Sequence, residues 1–228
     1  MTYLAPGAAL QARPAISAYV TPAAHSAPRP VPGWKRPLDL TLVIAGLLVL
    51  WPLFAVIAFA VRLSGPGPVF FVQTRIGRNG QPFGMFKFRS MHADAEARRA
   101  ALLAQSDREG ICFKVRNDPR VTRVGRVLRR LSLDELPQIF NVLCGEMSLV
   151  GPRPALAEEV CAYPAHAMER LSVLPGITGV WQVSGRAEIG FDEMVQMDIA
   201  YARDGRLSRD LSILLRTFRA VMSAHGAY

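Results

Sequence analysis

The apolar positions of this chain fall into one long block followed by several short, punctuated runs. From Leu40 to Val61 the sequence reads LTLVIAGLLVLWPLFAVIAFAV, without a charged residue. As a straight helix this stretch reaches about 33 Å, enough to cross a bilayer core. Pro52 sits near its centre, where it removes a helix hydrogen bond and kinks the axis. Both flanks are basic, with Lys35 and Arg36 before it and Arg62, Arg75 and Arg78 after it. The positive-inside bias therefore assigns no sidedness. Three arrangements stay open: a kinked, hairpin-like helix that enters and leaves one leaflet, a single span, and a buried core helix. The first explains both the proline and the paired basic flanks.

The shorter runs predict a compact α+β domain dominated by helices. Ser64-Gly65-Pro66-Gly67-Pro68 ends the long helix. VFFVQTRIG and PFGMFKFRSM then flank Asn79-Gly80, the pattern of a β-hairpin. Lys87 and Arg89 alternate with Phe86 and Phe88, which places both cations on one strand face, solvated or functional. His92 to Ala104 reads as a polar, Ala-rich helix, and Asn117-Asp118-Pro119 breaks the chain. From Arg120, basic residues recur at Arg123, Arg126, Arg129 and Arg130, with Val121, Val124, Leu128 and Leu131 between them, as an amphipathic helix with a cationic face. Pro175 to Gly179 reads as a turn-rich loop before Trp181-Gln182. A last helix, about Leu207 to Met222, sets Leu211, Leu214, Leu215, Phe218 and Met222 against Arg209, Arg216 and Arg219. Its basic rim favours an interfacial position over a purely core-facing one. Residues 1–33, rich in Ala and Pro and free of acids, read as a disordered tail without a signal peptide. The expected organisation is tail 1–33, membrane helix 34–62, and catalytic domain 63–228.

Composition narrows the partners. Half of the 228 residues are hydrophobic and the net charge is +9; the pI is about 10.2 and the mean hydropathy +0.19. A basic chain seeks anions: nucleic acid, an anionic bilayer or phosphorylated substrates. The apolar content favours the last two. Cys112, Cys144 and Cys161 are odd in number and widely spaced, so neither a disulfide framework nor a zinc site is expected.

The chemistry concentrates in LSLDELPQIFNVLCGEMSLVGPRP, Leu131 to Pro154. Asp134 and Glu135 follow the most basic stretch and precede a Gly-Pro-Arg-Pro turn. A carboxylate nucleophile acting on a phosphate diester needs an ionised acid, cations on the phosphate oxygens and a rigid frame. Mid-helix neighbours would diverge, but at a helix start both acids can serve one pole. Ser132-x-x-Glu135 matches a capping box and Pro137 suits an early helical position, so the pair can equally be a structural cap. A helix start also favours anions. Arg129 lies about one turn upstream. Arg153, held between two prolines, suits a bidentate phosphate grip. A Mg²⁺ ion would fit two carboxylates and a diphosphate. No Walker loop, GxGxxG or HExxH is present.

From about Trp34 onward these motifs resemble the monotopic phosphoglycosyl transferases, or bacterial sugar transferases. The resemblance rests on KRPLD, the mid-segment proline, FVQTRIGRNGQPF, FKFRSM, LSLDELPQIFNVLCGEMSLVGPRP and LPGITGVWQVSGR. The later motifs are most similar to enzymes that start exopolysaccharide repeat units. The resemblance implies transfer of a hexose-1-phosphate from a UDP-sugar to undecaprenyl phosphate, with release of UMP. It implies Asp134 as the nucleophile of a covalent phosphosugar intermediate and Glu135 as a Mg²⁺ ligand or proton-transfer assistant. Lys87, Arg89, Arg129 and Arg153 would hold phosphate, and Thr178, Gln182 and Arg186 would surround nucleotide or sugar. It further implies a re-entrant helix broken at Pro52, an inner-membrane location on the cytoplasmic face, and downstream glycosyltransferases as partners. The family often has Ser-Pro at the break; here it is Trp51-Pro52, and tryptophan cannot accept the hydrogen bond of a freed backbone amide.

The expectation is a compact monotopic membrane enzyme with interfacial amphipathic helices. Its rivals are a membrane-anchored basic scaffold, in which the acids only cap, and a nucleic-acid binder suggested by pI alone. The motif set argues against both, and no nucleic-acid partner is expected.

Overall fold

The structure, a computed structural model, describes residues 29–95, 97, 118–185 and 189–223. The expected tail up to residue 28, most of the expected 92–104 helix, Cys112, Asn117 and Arg186 lie outside the described residues. Packing begins upstream of the expected boundary at 34: Arg29 N donates to Ser172 O at 3.2 Å and its guanidinium to Glu169 at 3.0 Å.

Helix α1 (Lys35–Leu63) is, among the described residues, the one helix long and apolar enough to cross a membrane. It is continuous helix through Pro52. Its two ends pack on the same body. Val43 joins Met85, Val142 and Met147, whereas Ile57 and Val61 join Phe88 and Leu128. The opposite face of the helix is left uncovered, with Leu48 73%, Val49 75% and Trp51 65% exposed. An apolar side chain gains about 1.5–3 kcal/mol on leaving water. A row left uncovered by protein is therefore a row meant for another apolar medium.

The basic residues ahead of the helix are structural ties. Lys35 Nζ donates to Val150 O and Tyr201 Oη, each at 3.0 Å, and pairs with Asp210. Arg36 donates to the carbonyls of Val142 and Leu143. Asp39 accepts from Leu149 N at 3.1 Å. Arg75 is buried as well, so these flanking charges are engaged by the protein core.

The hairpin forms as expected. β1 (Phe70–Ile76) pairs antiparallel with β2 (Pro82–Phe88), in register from Phe70–Phe88 to Ile76–Pro82. Asn79 (φ 58°) and Gly80 (φ 74°) make the left-handed turn. Phe88 stacks on Phe70 at a centroid distance of 5.3 Å and meets Phe54 at a tilt, 5.4 Å away. The stop after α1 depends on Gly67 (φ 122°), where a Cβ would stand 2.3 Å from the Arg89 guanidinium.

Helix α2 (Arg123–Arg130) starts later than its charge pattern suggests, because Thr122 caps it by accepting from Gly125 N at 2.8 Å. Arg120 stays outside, in a buried pair with Asp118. Helix α3 (Gln138–Cys144) follows the acidic turn. β3 (Ser148–Val150) and β4 (Gly176–Thr178) pair in parallel. Part of the expected 175–179 loop is thus a strand; a run so short carries no alternation to reveal it. The crossover between them holds α4 (Ala157–Cys161) and a 3₁₀ segment, Ala165–Ser172. Helix α5 (Phe191–Arg203) packs on that segment through Val195, Met194 and Ala167.

Helix α6 (Leu207–Ser223) matches its expected span, but its apolar residues divide. Ile213 is buried and Leu214 half-buried against the body, whereas Leu211, Leu215 and Phe218 face outward. An outward apolar stripe beside Arg216 and Arg219 has the form of an interfacial helix.

Candidate active site

The two acids sit in a 3₁₀ turn, Leu133–Glu135, between α2 and α3. The expected capping box is absent. Ser132 is left-handed (φ 56°) and makes no side-chain cap; it reverses the chain at the end of α2 through Ser132 N to Arg129 O at 3.0 Å. Helix α3 starts only at Gln138, with Pro137 as its N-cap. The acids therefore precede the helix by a turn, and capping does not account for them.

In a 3₁₀ turn neighbouring side chains diverge by about 120°, and these two meet different surroundings. Glu135 Oε1 lies 3.1 Å from Lys87 Nζ and 3.4 Å from Arg153 Nη2. Asp134 is buried, and its carboxylate makes no hydrogen bond with any described residue. Arg129, at the end of α2, donates from Nε to Ser90 Oγ at 2.9 Å. Arg75 lies behind, bonded to Gln73 and to Pro154 O.

These positions push the two acids apart. Burial, reinforced by the neighbouring Glu135 charge, raises the pKa of Asp134 above the usual aspartate value. Burial acts on Glu135 in the same sense, but Lys87 and Arg153 outweigh it and hold its carboxyl well below the ordinary range. Burial lowers Lys87 and Arg129, while the acids oppose that trend. Burial and the Arg153 charge bring Arg75 down to about 10. The pocket is lined by cations, with one carboxylate paired to them and the other left without a hydrogen-bond partner among the described residues. An incoming diphosphate would find compensation there, and a nucleophile beside it.

The frame is built from a few buried polar contacts. Asn141, fully buried, accepts from Phe86 N at 3.0 Å and donates to Gly84 O and Glu146 at 2.7 Å each. It pairs with β2 as another strand would, and fixes the strand that carries Lys87 against the helix that follows the acids. Gly125 allows α2 to close on Ser90, whose carbonyl would lie 1.9 Å from a Cβ there.

The expected site residues have different fates. Asp134, Glu135, Lys87, Arg129 and Arg153 come together. Arg89 does not share the role of Lys87: it lies past the end of β2 and donates to the carbonyls of Val61, Gly65 and Pro66, closing the end of α1. Thr178 bonds Thr217 of α6 at 2.8 Å, and Gln182 donates to Ile177 O at 3.2 Å. Both brace the β4 region. Arg186 lies outside the described residues, and Pro52 lies inside α1. Reading by charge missed Ser90, Asn141 and Arg75 as parts of the site; for Asn141 the available signal was its place inside the ordered motif. Cys144 and Cys161 are free thiols. No group of three or more potential metal-ligating side chains occurs among the described residues.

A family profile described as bacterial sugar transferase matches residues 32–224, nearly all of the described chain. The protein belongs to the bacterial sugar transferase family. Among relatives, ExoY of Rhizobium meliloti, an exopolysaccharide production protein, is 40% identical over 95% of this chain and 98% of its own length. Galactosyl transferase CpsE of Streptococcus agalactiae is 44% identical over 85% of this chain. The undecaprenyl-phosphate galactose phosphotransferase of Salmonella typhimurium is 40% identical, again over 85%. The chain spans less than half the length of the latter two, 43% and 41%, and nearly all of ExoY. The profile match spans the acidic turn and the elements that carry its cations.

Proposed function

We propose that this protein transfers a hexose-1-phosphate from a UDP-sugar to undecaprenyl phosphate, the first membrane step of an exopolysaccharide or related glycan. The observation that carries the reading is the unequal treatment of the two acids. Glu135 is locked between Lys87 and Arg153, while Asp134, beside them, has no hydrogen-bond partner among the described residues. The family relationship and the activities for which the relatives are named support the same chemistry.

In the first step an Asp134 carboxylate oxygen attacks the sugar-bearing phosphorus, and the bond to the bridging oxygen breaks, releasing UMP. In the second, a phosphate oxygen of undecaprenyl phosphate attacks that phosphorus and Asp134 leaves as a carboxylate. Lys87, Arg129 and Arg153 offset the charge that builds on phosphate oxygens. Splitting the displacement means that the soluble donor and the bilayer-held acceptor need not meet at once.

The donor set suits one Mg²⁺. Asp134 presents its carboxylate without a hydrogen bond to any described residue, and Glu135, its neighbour in the same turn, supplies a second carboxylate. Asp134 and Glu135 would hold the ion alongside phosphate oxygens and water. Bound there, it would draw electron density from the diphosphate.

Both ends of α1 rest on one body, which favours a path whose ends share one face of the bilayer. This packing supports a monotopic, re-entrant path, and Pro52, at the helix centre, is the position where such a path would bend. A UDP-sugar donor favours the cytoplasmic face of the inner membrane, and downstream glycosyltransferases would consume the lipid-linked product. The test is UMP release from a panel of UDP-sugars with undecaprenyl phosphate and Mg²⁺, comparing wild type with Asp134→Asn. Release lost in the variant supports the reading; equal release by both removes Asp134 from the chemistry.

A further inference from the structure

Four consecutive carbonyls around Arg153 are each held by a donor from elsewhere in the chain. Gly176 N donates to Pro152 O at 2.9 Å and Ile76 N to Ala155 O at 2.9 Å. Between them, Arg170 Nη2 donates to Arg153 O at 3.3 Å and Arg75 Nη1 to Pro154 O at 3.1 Å. Pro152 and Pro154 have no N–H of their own, so the segment is registered largely through what its carbonyls receive.

The donor to Arg153 O is unusual. Arg170 is 3% exposed and pairs with Asp198 of α5, itself 1% exposed. One nitrogen, Nη2, serves both partners, and Nη1 donates to Tyr163 Oη at 2.6 Å. A buried ion pair is a weak source of stability, because desolvation takes back much of the attraction. An apolar pair of similar volume would join the Ala165–Ser172 segment to α5 equally well. It could not donate to the Arg153 carbonyl.

We propose that Arg170 and Asp198 are positioning residues for Arg153. Asp198 orients the Arg170 guanidinium, and that guanidinium fixes the Arg153 peptide so that its side chain meets Glu135 and the diphosphate of the donor. The proposal rests on the function proposed above and identifies α5, outside the motifs of the acidic turn, as part of the donor grip.

The test is steady-state UMP release with donor and lipid acceptor varied separately. Asp198→Asn is expected to raise the donor KM about tenfold and leave the acceptor KM unchanged. In an Arg153→Ala background the same change is expected to alter the donor KM less than about twofold, since the residue it positions is gone. A purely structural pair predicts less folded enzyme, unchanged KM values and additive losses. Arg170→Lys, which keeps a cation for Asp198 but loses the fork, provides the same readout where Asp198→Asn folds poorly. A raised donor KM in Arg153→Ala beside a normal one in the folded Asp198 or Arg170 variant overturns the positioning role alone. Absence of UMP release by wild type overturns the function on which it rests.

Discussion

Lys87 Nζ stands 3.1 Å from Glu135 Oε1, across the gap between β2 and the acidic turn. Without that contact the turn would present two buried like charges side by side. With it, Glu135 is held as an anion and Asp134 keeps its carboxylate clear of hydrogen bonds. Two adjacent residues of the same chemical class thereby acquire different roles, set by a cation 47 positions upstream of Asp134.

Asp134→Asn should abolish transfer, by at least about a thousandfold in kcat, the scale seen when a nucleophile is removed. It should also stabilise the protein at neutral pH. Folded Asp134 holds its proton more tightly than an unfolded aspartate, so its contribution to stability falls as pH rises through its folded value. Thermal unfolding should show a higher Tm for the variant at pH 7, with the gain vanishing near pH 3.

Glu135 has the opposite sign. Its depressed pKa contributes stability that is fully present above the unfolded value of 4.5 and is lost as pH falls through the lower folded value. Lys87→Met removes the main compensating charge and should cost about 2–4 kcal/mol at pH 7. Urea titration of Lys87→Met, Glu135→Gln and the double variant checks this. The double variant should be more stable than the sum of the two single losses.

Asn141→Leu should cost at least about 3 kcal/mol, because it orphans Phe86 N and Gly84 O in a buried setting. Hydrogen exchange provides a local check: the Phe86 amide should exchange much faster in the variant, whereas the α6 amides should not.

Gly33 and Leu63, both exposed, bracket α1. In a variant freed of native cysteines, Gly33→Cys and Leu63→Cys should be modified by an impermeant maleimide from the same side of sealed vesicles. Modification from opposite sides would show a span.

Much of this protein was legible before folding was considered. The charge-free run 40–61 requires an apolar medium wherever it ends up, because its side chains exceed what a domain of this size covers. Asn79-Gly80 between aromatic runs forces a hairpin through backbone geometry, which is local. Asp134, Glu135 and Arg153 stood out through composition, and the ordered motifs tied them to a family. The charge pattern misled where it was read as surface. Lys35, Arg36 and Arg89 looked like a membrane flank or a phosphate grip, yet each is tied to backbone carbonyls of distant elements.

The sequence by itself determined the chemistry on offer: two adjacent acids, a set of cations and one apolar helix. Tertiary structure decided which acid is neutralised, which cations reach it, and that both ends of α1 rest on the same body. Those outcomes depend on contacts between residues tens to more than a hundred positions apart. Sequence periodicity reports only on neighbours within a turn or two, so it carries no record of them.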